Sequence, residues 1–590
     1  MKDNNFLIRD SFRRYLIPSI LAILGGNISF MVDHIIAGRV LGSQALAAMS
    51  MVNPIFFLFT TIGTLICVGS STMASVSLGS ENKQAANELF TISTLSILAT
   101  GALITIAGML LLNPISMLLS DGSELRGMVY EYCRGLIPGA VCIMAVYLPL
   151  QYFRIEGKAY LGMILFLIMA GLDIGLDLLF TLVLHWGMFG LALATTLSSL
   201  IAVAVMFPFL LNREEGFRFV SVRHTWHQIR GIAIIGSPPA LNNLYSVIRM
   251  IVLNSLLMFS GGPITVASFA FVNSVNALAQ AFISGIAQTV SPLVGVFYGE
   301  NDVLSVKRVM KLAIRVGIAA MAAFCLAALV LNKPVSALFG LTSVEQQAAA
   351  VPALILCSFS LIGAVVNQIF TYYNLTVGRA KAANLITLER SLLFVVLPAI
   401  FLVRLWGSIG IWISFSISEL LTLTAIYLGA REARRKDSDQ NGILLLSRRD
   451  AAEGKAVSFT VEATPEDVMK HSNQIGGFCE DCLLSAKQSM TMSLAIEEIL
   501  LLMVEHVFPD KPNESIDVKI FVREDKVTMR FRCGGKRFNP IAYYRSKAEN
   551  PTEAGSDILS DAFGLQLVSK VARSVDYSTN LGLNNVIIRF

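Results

Sequence analysis

Two aspartates four residues apart, Asp173 and Asp177, sit in the stretch LGMILFLIMAGLDIGLDLLFTLVL, whose other side chains are almost all apolar. A third, Asp33, lies in a similar run near the start of the chain. A spacing of four puts the first two on one face of a helix, so both can look into one pocket. A charged group near the centre of a bilayer costs ~2.5–3.5 kcal/mol on insertion scales, so acids there normally face a bundle interior and mark an ion or proton path. Carboxyl groups gathered in such a place repel one another, and a proton or a cation can neutralise them. The plainer alternative, capping or pairing inside the bundle, stays open for Asp33 taken alone. Asn53, Asn243 and Asn273 could line a cavity, and helix-packing hydrogen bonds explain them equally well. Arg249, Glu389, Arg390 and Glu419 read as structural pairs between helices or as groups at helix ends.

The elements that must hold these groups follow from composition. The chain has 590 residues, 54% of them hydrophobic and 15% charged, with a mean hydropathy of +0.65. That is too apolar for a soluble protein and identifies a membrane protein. Runs of the ~20 apolar residues that a spanning helix needs recur from about Ile17 to Leu428, about twelve in all. Backbone in lipid must satisfy its own hydrogen bonds, and these runs are too long for barrel strands, so the spans are helical.

Lys2, Arg9, Arg13 and Arg14 precede the first span, and alternate loops carry Lys83, Arg154 with Lys158, Lys307 with Arg308, Arg379 with Lys381, and Arg431 to Lys436. Basic loops mark the cytoplasmic side, which predicts a multi-pass plasma-membrane protein with both termini in the cytoplasm. They also account for the net charge of +5, so no nucleic-acid partner is implied. The first span carries Asp33 and many more follow, so it reads as a retained helix rather than a cleaved signal. Cys67, Cys142, Cys325 and Cys357 fall inside spans and imply no disulfide framework. Cys479 and Cys482 form a lone CxxC that reads as a pair of surface or core thiols.

The membrane region repeats at a spacing of roughly 220 residues. LGSENKQAANELF is echoed by YGENDVLSVKRVM with Gly79 on Gly299; Val52 and Asn53 match Val272 and Asn273; WGMFG matches WGSIG; and YFRIEGK matches YNLTVGR. The halves begin on the same side, so the repeat is parallel and suits two lobes rocking about a central cavity. After Leu428 the charged segment REARRKDSDQNG reads as a linker. Beyond it VSFTVEA, VKIFVRE, VTMRFRC and NVIIRF read as strands, while DVMKHSNQIGGFCEDC, SMTMSLAIEEILLLMVEHVF and AFGLQLVSKVARSV read as amphipathic helices. The expected organisation is an α-helical membrane protein of two duplicated six-helix bundles, residues 1–220 and 221–430. A linker, 431–442, and a soluble cytoplasmic α/β sandwich domain, 443–590, follow.

The segment MVDHIIAGRVLGSQALAAMSMVNPI resembles the first-span motif of the multidrug and toxic compound extrusion (MATE) family: an apolar pair, an Asp, then GlyArg and LeuGly before an Ala-rich second helix. The likeness covers about residues 10 to 430, duplication included. It implies a secondary antiporter, not an enzyme, that exports amphipathic organic cations or drugs by alternating access, is driven by sodium or protons and needs no cofactor. In the family a fifth-span Asn, an Asp four residues on and a sixth-span Thr join the first-span Asp in an ion site. Those positions fall on Asp173, Asp177, Thr195 and Asp33. Asp173 departs from the family's Asn and adds a third carboxylate, so sodium held at Asp33, Asp173 and Asp177 and a bound proton both stay open. At the repeat offset Asp33 faces Leu253 or Asn254 and Asp177 faces Leu397, so coupling is expected in the first half and cargo in a cleft between halves.

LAIEEILLLMVEH in the tail is similar to the first signature of the ATP-binding domain shared by histidine kinases and anti-sigma-factor serine kinases. Glu498 matches its Glu and His506 its closing His, but Leu502 stands where the family has a magnesium-binding Asn. In CGGKRFNP, Gly535, Phe538 and Pro540 match while Cys533 replaces the Asp that contacts adenine, and Gly564 is what survives of the glycine-rich signature. The resemblance implies a degenerate, noncatalytic fold, expected to have lost ATP binding and kinase activity and to serve as a regulatory domain for a ligand or protein partner. A membrane sensor with kinase-like output would need a phosphoacceptor His on a dimerisation helix, and an ATP-driven pump would need GxxxxGK[ST]; the sequence contains neither. A flippase for a lipid-linked glycan or other lipid would use the same bundle and differ in its cargo.

Overall fold

The structure, a computed structural model, describes residues 6–590 except 121–123, 212–215, 223–224, 340, 342, 448–454, 483, 510–513, 524–525, 544–567 and 569. The apolar runs form long helices: α1 (Phe6–Leu41), α2 (Gln44–Gly79), α3 (Lys83–Leu110), α4 (Arg126–Ile155), α5 (Ala159–Val183) and α6 (Gly187–Leu210) in the first half. Thr225–Gly299 follows as a stretch of 75 residues, far more than the ~20 that cross a bilayer. It is interrupted at Gly262, whose φ of 67° and ψ of −158° are not helical. Pro263 follows directly and lacks an N–H to continue the ladder, so the stretch divides into α7 (225–261) and α8 (263–299), each long enough to cross. The second half continues with α9 (Val303–Leu338), α10 (Val344–Thr376), α11 (Ala380–Trp406) and α12 (Ser408–Lys436). Side-chain caps fix two of the starts. Asn82 accepts from the Ala85 N–H at 2.9 Å before α3, and Ser343 closes a capping box with Gln346 before α10.

Eleven helical stretches among the described residues are long and apolar enough to span, and the break at Gly262 divides one of them. The helices depart from the expected organisation at the end of the bundle. α12 continues to Lys436, so the segment read as a linker from residue 431 begins as helix. Glu432 and Lys436, one turn apart at 2.7 Å, support that last turn.

The chain forms two compact units. The larger comprises Arg14–Asp302 and Val309–Lys436; the smaller gathers the residues up to Arg13, Val303–Arg308 and Asp437–Phe590. In the smaller unit a hairpin of β1 (Gln440–Asn441) and β2 (Leu446–Ser447) precedes a five-stranded antiparallel sheet. Its strands are β3 (Lys455–Glu462), β4 (Ser515–Arg523), β5 (Lys526–Cys533), β6 (Ser574–Asn580) and β7 (Leu583–Arg589), in the order β3-β4-β5-β7-β6. Helices α13 (Pro465–Asp481) and α14 (Ala486–Val507) share one core with it, in which Phe459, Val518, Phe531 and Val586 of the sheet meet Ile496, Ile499 and Met503 of α14. Within this unit Lys519 Nζ also donates to Ser305 Oγ at 2.8 Å. The strand β6 is absent from the sequence reading, which placed Ser574 and Val575 at the end of a helix. They lie instead in the sheet, paired with Arg589 and Ile588, because SVDYSTN alternates weakly and gains its strand character from the partner β7.

Candidate functional site

The three acids come together in the first lobe. Asp33 on α1 is 7% exposed, and Asp173 and Asp177 on α5 are 3% and 0% exposed. Asp173 is held by hydroxyls: Ser29 Oγ of α1 donates to Oδ2 at 2.7 Å and Ser198 Oγ of α6 donates to Oδ1 at 3.1 Å. Thr195, one turn before Ser198, stands beside the same carboxyl group. Asp177 differs. Neither of its oxygens, nor Oδ1 of Asp33, receives a hydrogen bond among the described residues, and the two carboxyl groups face each other. Tyr132 of α4, 8% exposed, lies within electrostatic reach of all three acids.

Local backbone helps to set this arrangement. Immediately after Asp177 the helix widens into a π turn, Leu179–Val183, and Thr181 Oγ1 donates to the Asp177 carbonyl at 2.5 Å. Such π bulges inside helices occur often at functional sites. A buried charge without donors is costly, so the facing pair Asp33 and Asp177 is suited to share a proton or to take a cation. Among the described residues no group of three or more acidic, His or Cys side chains has the arrangement of a metal site. Ser29, Ser198 and Tyr132 went unmarked in the sequence, where serines and a tyrosine inside apolar runs carry no distinguishing pattern.

The candidate cavity asparagines do not form one network. Asn243 of α7 donates to Thr61 Oγ1 of α2 at 3.3 Å, joining the two lobes. Asn53 is half-buried and Asn273 exposed, and neither side chain is hydrogen-bonded among the described residues. In the second lobe Arg390 Nε donates to Glu419 Oε1 at 3.0 Å; Asn367 Nδ2 donates to Glu419 Oε2 at 2.6 Å; and Arg390 also donates to Gln368. Arg249 donates to the Ser391 carbonyl at 3.3 Å, and Ser391 Oγ donates to Asn242 Oδ1 at 2.7 Å. Arg249, Arg390 and Glu419 thus make interhelical contacts of the kind the sequence suggested, and Glu389 joins none of them.

The lobes also meet closely where α2 and α8 end. A Cβ on Gly79 would lie 2.2 Å from the Val296 carbonyl oxygen, and one on Gly299 would lie 2.2 Å from that of Val76. The two contacts are equivalent at the repeat offset and tolerate only glycine. Nearby, Thr72 and Ser291 are 3.2 Å apart and Thr376 Oγ1 donates to Ser291 Oγ at 3.0 Å.

In the tail, Leu502 is buried in the core and Glu498 is half-buried. His506 packs against Phe538 and Tyr543 with ring centroids 4.5 and 4.6 Å away. Gly535 has a φ of +88°, which suits glycine. Cys533 is fully buried, and burial pushes its thiol up to about 12, so it is inert as a nucleophile. Beside it Asn584 donates to the Lys536 carbonyl at 3.0 Å and accepts from the Phe538 N–H at 3.1 Å and from Tyr577 Oη at 2.8 Å. Cys533, the position that the sequence resemblance aligns with an adenine-contacting Asp, is thus an apolar thiol packed against Asn584. Gly564 lies outside the described residues.

Fold and site together define a helical membrane protein built from two like lobes, with uncompensated acids buried in one of them. The MatE family model matches residues 18–179 and 238–400, two copies displaced by 220 residues (238 − 18), and the chain belongs to that family. It is 25% identical over 413 residues to the multidrug export protein MepA of Staphylococcus haemolyticus strain JCSC1435, covering 68% of this chain and 88% of that protein. It is 23% identical over 421 residues to MepA of Staphylococcus aureus strain MRSA252, covering 70% and 90%. A crystal structure of a MATE in complex with MaL6 superposes with a TM-score of 0.68 at 22% identity, covering 74% of this chain and 99% of that one. An outward-facing multidrug resistance MATE transporter of the MOP superfamily superposes with a TM-score of 0.67 at 23% identity, covering 74% and 99%. The matched region is the membrane bundle of a multi-pass secondary transporter.

Proposed function

We propose that the chain exports amphipathic organic molecules, organic cations among them, in exchange for protons, and that Asp33 and Asp177 carry the coupling proton. The facing carboxyl groups, with both oxygens of Asp177 and Oδ1 of Asp33 reached by no donor among the described residues, support this reading most directly: one proton between them removes the repulsion, and its loss restores it. Asp173, satisfied by Ser29 and Ser198, positions the pair rather than exchanging the proton itself. Thr195 assists it. The export of drugs is consistent with the names of the MepA relatives. The joined ends of α2 and α8 close one side of the bundle, which lies in the cytoplasm on the reading that basic loops face inward. The bundle then stands in its outward-facing state, and transport requires those ends to part. For an uncharged cargo, one proton crossing 100 mV is worth ~2.3 kcal/mol, nearly two decades of cargo gradient, whereas exchange for a monovalent cation moves no net charge and draws on the pH difference alone.

The tail is read as a degenerate relative of the kinase-type ATP-binding domain, retained for regulation. Leu502 and Cys533 in its core support the loss of the metal and adenine contacts. Purified protein in proteoliposomes, given an imposed proton or sodium gradient and a fluorescent organic cation, tests the transport reading. Uptake driven by the proton gradient alone is expected. Uptake driven only by sodium transfers the site to a cation, and no uptake of cations under either gradient overturns the cargo class.

A further inference from the structure

Arg154 closes α4 and is 2% exposed. Its Nη1 donates to Gln151 Oε1 at 3.1 Å and, across the lobe boundary, to Gln288 Oε1 of α8 at 2.5 Å. Nη2 is equally buried and has no hydrogen-bond partner among the described residues. Both partners of the guanidinium are neutral amides, and it makes no ion pair among the described residues. A lone buried charge of this kind is costly, several kcal/mol after relaxation, unless a counter-charge accompanies it.

The guanidinium lines a small cavity together with Ser71, Thr72, Ser291 and Tyr372. The space, about 10 Å³, accommodates one water-sized guest. Its walls are shared. Thr72 and Arg154 come from the first lobe, and Gln288, Ser291 and Tyr372 come from the second. Its lining carries four hydroxyls, of which that of Ser71 donates to the Val68 carbonyl and those of Thr72 and Ser291 bond each other, and among the described residues no carboxylate lines it. A single positive charge, spare N–H groups and hydroxyls around a volume of this size select a monatomic anion over an organic one.

We propose that this cavity binds a halide, chloride under ordinary conditions, and that the bound anion holds the two lobes together at this end of the bundle. The site is complete only while the lobes are joined, so an anion that binds there must favour the joined state by its differential affinity. The proposal rests on the reading that these ends part during transport, and it makes the balance between the two states depend on chloride.

The test compares full-length protein, purified and in proteoliposomes, in chloride and in gluconate at equal ionic strength. For the wild type, chloride is expected to raise the melting temperature saturably, and crystals grown in bromide to show anomalous density beside Arg154 Nη2. Arg154→Gln is expected to lose the chloride response, and Arg154→Lys to keep it with about tenfold weaker apparent affinity. Should Arg154→Gln fail to fold, Gln288→Glu supplies the missing negative charge from the protein itself and is expected to make the melting temperature independent of chloride. A wild type indifferent to chloride, a Gln288→Glu variant that responds as the wild type does, or an ordered water with no bromide signal would overturn the proposal. Gradient-driven uptake that continues unchanged in gluconate, with no chloride effect on melting, would sink the anion site alone. Absence of uptake in both salts would count against the transport reading instead.

Discussion

The two lobes share one sequence pattern and treat buried charge in opposite ways. In the second lobe Arg390 and Glu419 neutralise each other, and Asn367 and Gln368 take up further hydrogen-bonding capacity. In the first lobe Asp33 and Asp177 face each other, and no donor among the described residues reaches either oxygen of Asp177 or Oδ1 of Asp33. Helices α5 and α11 correspond at the repeat offset and each carries a π turn at or beside its charged residue, Asp177 or Arg390, but the partners come from different helices, Asp33 from α1 in one lobe and Glu419 from α12 in the other. The contrast teaches that two lobes of one repeat pattern can hold buried charge in unlike ways. One became a satisfied strut. The other was left unsatisfied, and an unsatisfied buried charge is what an ion gradient can act on.

The sharpest way to break this comparison is Asp177→Asn. It is expected to abolish gradient-driven export while leaving membrane expression and melting temperature close to wild type, because the residue makes no hydrogen bond that folding relies on. Retained drug export in cells expressing the variant would mean that the unsatisfied pair does no work. The reverse pattern is expected across the boundary. Glu419→Gln leaves Arg390 buried without its counter-charge, a loss of about 3–5 kcal/mol, visible as lower yield and a lower melting temperature in detergent. Replacing both members by apolar residues should recover most of that stability, and failure to recover it would give the pair a role beyond neutralisation.

Asp173→Asn has a smaller expected effect. The amide can still accept from Ser29 or Ser198, so uptake should continue with its pH dependence displaced; complete loss would move Asp173 into the exchanging pair. The smallest effect is expected in the tail. Burial pushes Asp517 from 3.8 up to about 7, against the pull of Lys519, Arg532 and Arg308 and the hydrogen bond from Thr460. The folded tail therefore holds this proton more tightly than an unfolded chain does. Its contribution to stability falls as pH rises from about 4 to about 7. Asp517→Asn should flatten that slope in melting curves of the full-length protein, and an unaltered slope would assign it to another group.

Much of the membrane fold was legible in the chain. Apolar runs specify spanning helices because lipid offers the backbone no other partner, and the matches of Gly79 with Gly299 and WGMFG with WGSIG revealed the duplication. Asp33, Asp173 and Asp177 stood out because each costs free energy where it lies. β6 was missed because its pattern is weak and its ladder partner β7 supplies the order. Ser29, Ser198 and Tyr132 were missed because a hydroxyl in an apolar run looks the same whether it bonds its own helix or a distant acid.

By itself, then, the order of residues determined the helices, their repeat and which side chains carry charge into an apolar setting. These depend on local periodicity and on the cost of burying a group, both of which act residue by residue. Only the tertiary structure decided which charges are satisfied. Ser29 reaches Asp173 across 144 positions and Arg154 reaches Gln288 across 134, and hydrogen bonding extends over about 3 Å of space whatever the separation along the chain.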